Sequence, residues 1–521
     1  MTYESFEPIP EPEKQEYRFN ATDMLLAWSC FVLGFLANRA IPANEHPLGK
    51  FLVTLLFFGV GMTYLLLNKR PMRLRQLLLL VIAPVFAFSY LTNGNVTVLF
   101  FVGLFLVIVF CAWIYDGFGL TGVRLNAELI PVHLREAVLR APFKHLKAVF
   151  AAAVLSNPEH GKLRRAGKTV GMVLLGLVVA IVPTVIILLL LSYDDGFTSL
   201  MGRIFDFKIS FDDIWGGFWD ILLAIPLGAA VFSLMYGSKW KAEEGNNGEP
   251  SPIKGLHRMP KALLCAAVTP VLFLYVVFFI SQWDYYVSAF THVLPENLTY
   301  ATYAREGFFQ LCAVCGINAV IMLLFSILVQ KREDGSHSAI TRIYSVVISL
   351  FTLILIVTAL SKMLLYIDSY GLTQKRVYAS WFMVLLGMAF VCVLIRQLVK
   401  RFPAMTVGIV GAVLLFGVIA LPNVDGMIAN YNVSAYLSGE LNEIDVDHLN
   451  ELGISAIPAQ VKLETAMRAR ETLTEEESAW LTTLTRDINT AKTLMEQEDE
   501  SIFAASIPRA RAKATLKERD E

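Results

Sequence analysis

Apolar residues run in blocks of 18 to 27 along this chain, near 23–41, 49–67, 74–91, 95–115, 169–193, 215–237, 262–283, 306–329, 340–366, 377–396 and 403–422. A helix rises about 1.5 Å per residue, so roughly 20 apolar residues cross the ~30 Å hydrocarbon core of a bilayer. The pattern predicts an all-α integral membrane protein, a bundle of about eleven transmembrane helices in a membrane domain over residues 23–422. The first run is the weakest, because Asn38 and Arg39 interrupt its end.

The polar positions define three segments outside the membrane. Residues 1–22 are acidic and proline-rich, and read as a disordered arm. The loop 116–168 carries nine Lys/Arg against four acids, with Leu134, Val138, Leu146, Val149 and Val154 spaced as on a helix face. Basic amphipathic stretches of this kind lie on anionic leaflets, and Pro142 divides this one into two helices. Residues 423–521 form an acidic tail with 19 acids and 10 bases. There Thr474 followed by Glu477 reads as a capping box opening a helix. Its stripe of Trp480, Leu481, Leu484, Ile488 and Leu494 needs something to pack against.

Charge orients the bundle. With the N-terminus in the cytoplasm, alternate loops on that side hold 26 Lys/Arg and the outer loops seven, as the positive-inside rule requires. Eleven crossings then place the tail outside. Trp28, Trp113 and Trp240 fall at the inner boundary, and Trp215, Trp219, Trp283 and Trp381 at the outer, where amphipathic rings settle at headgroup level. Composition agrees: 55% of the chain is hydrophobic and 17% charged, against about a quarter charged in soluble domains. The first twenty residues lack the basic n-region of a cleavable signal, so the first helix is expected to direct insertion itself. All six cysteines lie inside apolar runs, where they read as small packing residues rather than disulfides.

Candidate chemistry is thin. Gly117-Phe-Gly119-Leu-Thr-Gly122 fits G-x-G-x-x-G, but it follows an apolar run and enters a basic loop, so it reads as a turn. Cys312 and Cys315 form C-x-x-C within an apolar helix, without a second pair. Asp445 and Asp447 lack the spacing of a calcium loop and read as a helix start. No metal, cofactor or catalytic residue is expected. Ionisable groups avoid mid-membrane positions: Asp220 and Glu306 lie toward helix ends, and Lys362 is placed to snorkel outward.

Three stretches carry a resemblance. Tyr303-Ala-Arg305-Glu-Gly307-Phe308-Phe309-Gln310 opens the eighth run. Thr358-Ala-Leu-Ser361-Lys362-Met-Leu-Leu-Tyr366 leads into Tyr370-Gly371-Leu372-Thr373-x-x-Arg376. Asp425-Gly426-x-Ile428-Ala429-x-Tyr431-Asn432-Val433 begins the tail, ahead of Asp445 and Pro458. Over roughly residues 20–465 the chain resembles the bacterial polytopic membrane family of domain of unknown function 4153, with its relative 4173. The resemblance implies a fold and a bacterial cytoplasmic membrane, and no reaction.

Combined with the topology, the motifs gather Arg305, Glu306, Lys362, Tyr366, Asp368, Tyr370, Thr373, Arg376, Asp425, Tyr431 and Asn432 at the outer face. Three readings stay open there: an interlock of ion pairs and aromatic anchors, a site for an anionic lipid or lipid-linked ligand, or a catalytic site. The function expected is a non-enzymatic sensing, binding or scaffolding module in contact with the bilayer and a membrane protein partner, not nucleic acid. A transporter of lipid or small solute and a membrane enzyme on a lipid-linked substrate are the alternatives.

Overall fold

The computed structural model describes residues 17–40, 46–122, 130–154, 211–244, 260–281, 300–329, 338–399, 401–497 and 502–521, with isolated positions between 169 and 187. Regular structure among them is helical. The membrane-domain helices are α1 (Ala21–Ala40), α2 (Pro47–Leu67), α3 (Leu74–Ala87, continued past Phe88 by Ser89–Thr92) and α4 (Val96–Gly117). A composite α5 follows, made of Ile130–Leu134, a π-helical stretch Arg135–Arg140 and Ala141–Lys144, and then α6 (Ala148–Ala153). Next come α7 (Phe211–Glu243), α8 (Lys261–Ser281), α9 (Tyr300–Leu328), α10 (Ala339–Tyr370), α11 (Gln374–Leu398) and α12 (Ala404–Ala420). The tail holds α13 (Val424–Ser438), α14 (Val446–Glu451), α15 (Ile457–Arg468), α16 (Glu475–Gln497) and α17 (Ile507–Asp520).

Eight of these helices are long and apolar enough to cross a membrane: α1 to α4, the Trp219–Glu243 part of α7, the Phe308–Ser326 part of α9, α10 and α11. The α12–α13 pair, bent by 59°, makes a ninth if counted as one broken span. Within α8 the apolar stretch Cys265–Ile280 is shorter. The run 169–193 lies outside the described residues apart from isolated positions.

The helices have two distinct ends. Tyr64, near the end of α2, donates 2.8 Å to Asp23 beside the N-terminal arm. At the start of the same helix, a Cβ on Gly49 would lie 3.9 Å from that of Phe503 in the tail. Twenty-one residues of helix span roughly 30 Å, so the arm and the tail sit at opposite ends of α2. We call these the N-terminal face and the tail face.

Helices α1 and α7 run antiparallel in close contact, because small residues oppose each other. A Cβ on Gly34 would fall 2.4 Å from the Ala224 carbonyl oxygen, and one on Gly228 2.6 Å from that of Cys30. Close backbone approach is what packs helices in lipid, where burial of apolar surface contributes little. The Asn38 and Arg39 that interrupt the first apolar run both meet Asp220 of α7, at 2.8 and 3.7 Å.

Several expectations change. The arm read as disordered through residue 22 reaches the described residues at Tyr17, and Phe19 is buried against Tyr236 of α7. Tyr17 donates or accepts 2.9 Å from His145 Nδ1, and Tyr236 donates to the Arg18 carbonyl. Trp113 is 0% exposed, so its ring is packed on Phe58 and Gly61 between α2 and α4 and is not presented outward to headgroups. The Gly117–Gly122 stretch is a turn: Gly119 and Gly122 have φ of +81° and +77°, and Arg73 and Arg75 donate to the Gly122 carbonyl. Cys315 is buried in α9 and Cys312 half-buried, both as free thiols packed among helices.

The tail is a helical domain centred on α15. The capping box is present, with Glu477 N donating to Thr474 Oγ1 at 3.1 Å and Thr474 N to Glu477 Oε2 at 3.0 Å. Leu484 and Ile488 of α16 are fully buried; Trp480 and Leu481 pack against the core that holds Leu484, and Ile488 belongs to a second cluster with Val461 and Leu516. Leu494 is exposed instead, and Met495 takes the buried position, since α16 turns its last residues toward α17.

Candidate functional site

At the tail face, three chain turns converge. The first joins α10 to α11 in only three residues. Gly371 has φ of +72° and ψ of −173°, a conformation that favours glycine, and Thr373 Oγ1 caps α11 by accepting from the Arg376 amide at 3.4 Å. Arg376 turns back over this link. Its Nη1 donates to the carbonyls of Tyr370 (2.8 Å) and Gly371, and its guanidinium carbon lies 4.1 Å from the Tyr366 ring centroid. A cation at a helix C-terminus satisfies its orphan carbonyls and opposes the negative end of the dipole. Tyr366 and Tyr370 meet edge to face at 5.3 Å, as their i, i+4 spacing allows.

The second is the bend between α12 and α13. Asn423 caps α13 by accepting from the Gly426 amide, which brings Asp425 into the first turn and buries it. The third is the Thr92-Asn93-Gly94-Asn95 link between α3 and α4. Asn95 Nδ2 donates to both Asp425 oxygens at 3.1 and 3.2 Å, and Gln374 Nε2 to one of them at 2.9 Å. Thr92 and Asn93 donate to the carbonyls of Leu421 and Pro422 at 2.6 and 3.1 Å. A second latch joins the first turn to the tail: Asn432 Nδ2 donates to the Leu372 carbonyl at 2.8 Å, while its Oδ1 accepts from the Leu372 amide at 2.7 Å. A Cβ on Gly371 would fall 2.6 Å from that Oδ1.

The expected cluster therefore divides. Tyr366, Tyr370, Thr373 and Arg376 form one knot, and Asp425 and Asn432 belong to the two latches. Tyr431 is 38% exposed and Tyr370 50% exposed, at the rim. Lys362 is 2% exposed, so its side chain is buried against the rest of the protein instead of standing free at the helix surface to snorkel outward as expected. Arg305 and Glu306 lie in the first turns of α9, and their side chains lie outside the described residues. Among the described residues Arg376 meets backbone carbonyls and an aromatic face instead of a carboxylate, so hydrogen bonds and a cation–π contact do the work expected of ion pairs. Three asparagine and glutamine side chains, Asn93, Asn95 and Gln374, were not among the residues singled out. For Asn93 and Asn95 the sequence carries a signal, three polar residues and a glycine between two apolar runs at 92–95.

Chemically, the arrangement is a joint. The side-chain amides donate to partners in another turn while Asn93 and Asn95 accept within their own link, and the described residues hold no group of three or more metal-ligating side chains. A family model described as Domain of unknown function (DUF4153) matches residues 26–463, most of the chain. The chain belongs to the DUF4153 family. No curated protein and no solved structure matches it. All three turns of the joint lie inside the DUF4153 stretch, together with α13, α14 and the start of α15 through Leu463, whereas α16 and α17 lie beyond it.

Proposed function

We propose that this DUF4153 chain is a non-enzymatic multi-pass protein of a bacterial cytoplasmic membrane that holds its C-terminal helical domain, in a set orientation, at the extracytoplasmic face, where that domain binds or organises a partner. The observation that carries the reading is the pair of latches from Asp425 to Asn95 and Gln374, and from Asn432 to Leu372. They join the tail root to two separate membrane turns, and two attachment points suppress the hinge that one would leave. Arg376 supports a structural role for the knot, because its Nη1 and its ring-facing surface are already occupied.

Topology supports the location. A chain that begins on one face and ends on the other crosses an odd number of times. Adding α8, α12 and the run 169–193 to the eight long spans gives eleven. The Lys/Arg bias puts the N-terminal face in the cytoplasm and the tail outside.

The test is a distance measurement on the full chain in nanodiscs, with spin labels at Lys375→Cys on the membrane domain and Glu471→Cys on the tail. A narrow distribution that broadens in Asp425→Ala/Asn432→Ala is expected. A broad distribution in the otherwise wild-type chain would overturn the reading.

A further inference from the structure

Residues 130–154 pack against the sides of α1 and α7. Ser233 Oγ, in the middle of α7, donates to the Ala141 carbonyl at 2.8 Å and accepts from the His145 amide at 2.9 Å. Ser233 is six residues from Lys239, about 9 Å deeper along the helix. Phe150 of α6 meets Phe31 at 6.1 Å, and Phe31 is eight residues, about 12 Å, past Asp23 in α1. The α5–α6 segment is thus wedged beside α1 and α7 below the level of the N-terminal face. Irregular backbone is tolerated at such depth where protein groups satisfy it, and Ser233 does so here.

One side of this wedge is buried through Ala137, Pro142, His145, Val149 and Ala152. The π-helical stretch ends with the Ala141 amide bonded to Glu136 five residues back, just before Pro142, which has no amide to donate. On the other side, Leu139 is 66% exposed, Phe143 61% and Phe150 41%. Arg140, Lys144 and Lys147 are exposed along the same segment. Glu136 pairs with Arg135 and Arg140 at 3.0 and 3.1 Å, and among the described residues no carboxylate pairs with Lys144 or Lys147. Outward apolar residues thus sit beside an excess of cations at the edge of the hydrocarbon.

We propose that this wedge is a binding site for an anionic phospholipid, with Leu139, Phe143 and Phe150 against the acyl chains and Arg140, Lys144 and Lys147 around the headgroup phosphate. The occupant is a lipid rather than a protein because the exposed face is continued on α1 by Val32, 57% exposed beside the Phe31 that Phe150 meets, and its charge complements a phosphate. The site is independent of the tail-face joint and of which face is cytoplasmic.

The experiment uses the full chain in nanodiscs of phosphatidylcholine with and without phosphatidylglycerol, with bound lipid counted by native mass spectrometry after extraction. Wild type should retain phosphatidylglycerol in preference to phosphatidylcholine. Arg140→Gln/Lys144→Gln/Lys147→Gln, three exposed positions, should weaken that retention on the order of a hundredfold while the melting temperature in phosphatidylcholine is unchanged. Leu139→Ser/Phe143→Ser should weaken retention of both lipids. Equal retention of the two lipids by wild type, or unchanged retention in the triple variant, overturns the proposal. So does displacement of the lipid by poly-glutamate at equal charge, which would make the face a docking site for an acidic protein.

Discussion

Lys239 Nζ lies 2.9 Å from both carboxylate oxygens of Asp23, and the two side chains are almost completely buried where α1 and α7 meet at the N-terminal face. Tyr64 and the Asn20 amide donate to the same carboxylate, so with Lys239 the ion is satisfied by three donors, and the Asp23 amide donates back to Asn20 Oδ1 to close a capping turn. The opposite end of the helix pair is closed by Asn38, Arg39 and Asp220. Between the two polar clasps the helices touch through glycine, which sets both register and spacing.

Removing one partner of such a pair leaves an uncompensated buried charge. Lys239→Ala should therefore destabilise the detergent-extracted protein by about 3–5 kcal/mol. Asp23→Leu/Lys239→Met, which removes both charges, should recover much of that loss. Thermal melting of the three proteins, beside the surface control Lys492→Ala, checks this. A double variant no more stable than Lys239→Ala would show that the charges do more than compensate each other.

At the joint, Gly371 is constrained twice, by its positive φ and by Asn432 Oδ1 in the space a Cβ would take. Gly371→Ala should cost about 1–3 kcal/mol in strain. Gly371→Ala/Asn432→Ala relieves the clash but leaves the dihedral strain and loses the latch, so it should melt no higher. Recovery of wild-type melting in the double variant would mean that the clash alone mattered.

How far the sequence could be read depended on the distance between interacting residues. The length of an apolar run is imposed by the hydrocarbon, and helix caps are local, so α1 to α4, the Thr474–Glu477 box and the Asp445 cap were all legible. Asn95 and Asp425 are 330 positions apart, and no local pattern ties an asparagine in one short link to an aspartate in another. The inward and lipid-facing sides of a membrane helix are both apolar, so periodicity does not separate them. That is why Trp113 reads as a headgroup anchor and Lys362 as a snorkelling cation when both are buried. Arg376 was singled out with its tyrosines, but carbonyl capping by its guanidinium depends on the tightness of a three-residue turn.

The tail has a pH-sensitive centre. Glu464 of α15 is 2% exposed, and burial works against its charge. Hydrogen bonds from Arg519, Arg468 and Thr485 outweigh burial and hold its carboxyl below the usual range. A folded-state pKa below the unfolded one contributes stability above the ordinary value of 4.5, and that stability is lost as pH falls through the folded value. Pepsin should cut the wild-type tail with rising ease between about pH 5 and 3. Glu464→Gln, which lacks the charge throughout, should be cut readily across that range, and a tail equally resistant in both proteins would sink the idea.

The orientation can be tested at two positions. Gly94 is a poor fusion site despite lying in a turn, because a Cβ there would fall 3.0 Å from Ser455 Oγ, so an insertion would break the joint along with reporting on it. Glu521 and Gly248 avoid this. Glu521 follows α17, exposed at the end of the tail, and Gly248 follows α7, whose last turns carry Lys239 and Lys241 on the N-terminal face. Because that face and the tail occupy opposite ends of α2, a protein crossing the membrane as proposed must give opposite signals at the two positions. Alkaline phosphatase should be active when fused at Glu521 and inactive at Gly248, and a fluorescent protein that matures only in the cytoplasm should show the reverse. Opposite signals of the other sign would keep the fold and invert it in the membrane, against the 26-to-seven distribution of Lys and Arg. The same signal at both positions would contradict an odd number of crossings between them, and with it the proposal that the tail is held outside.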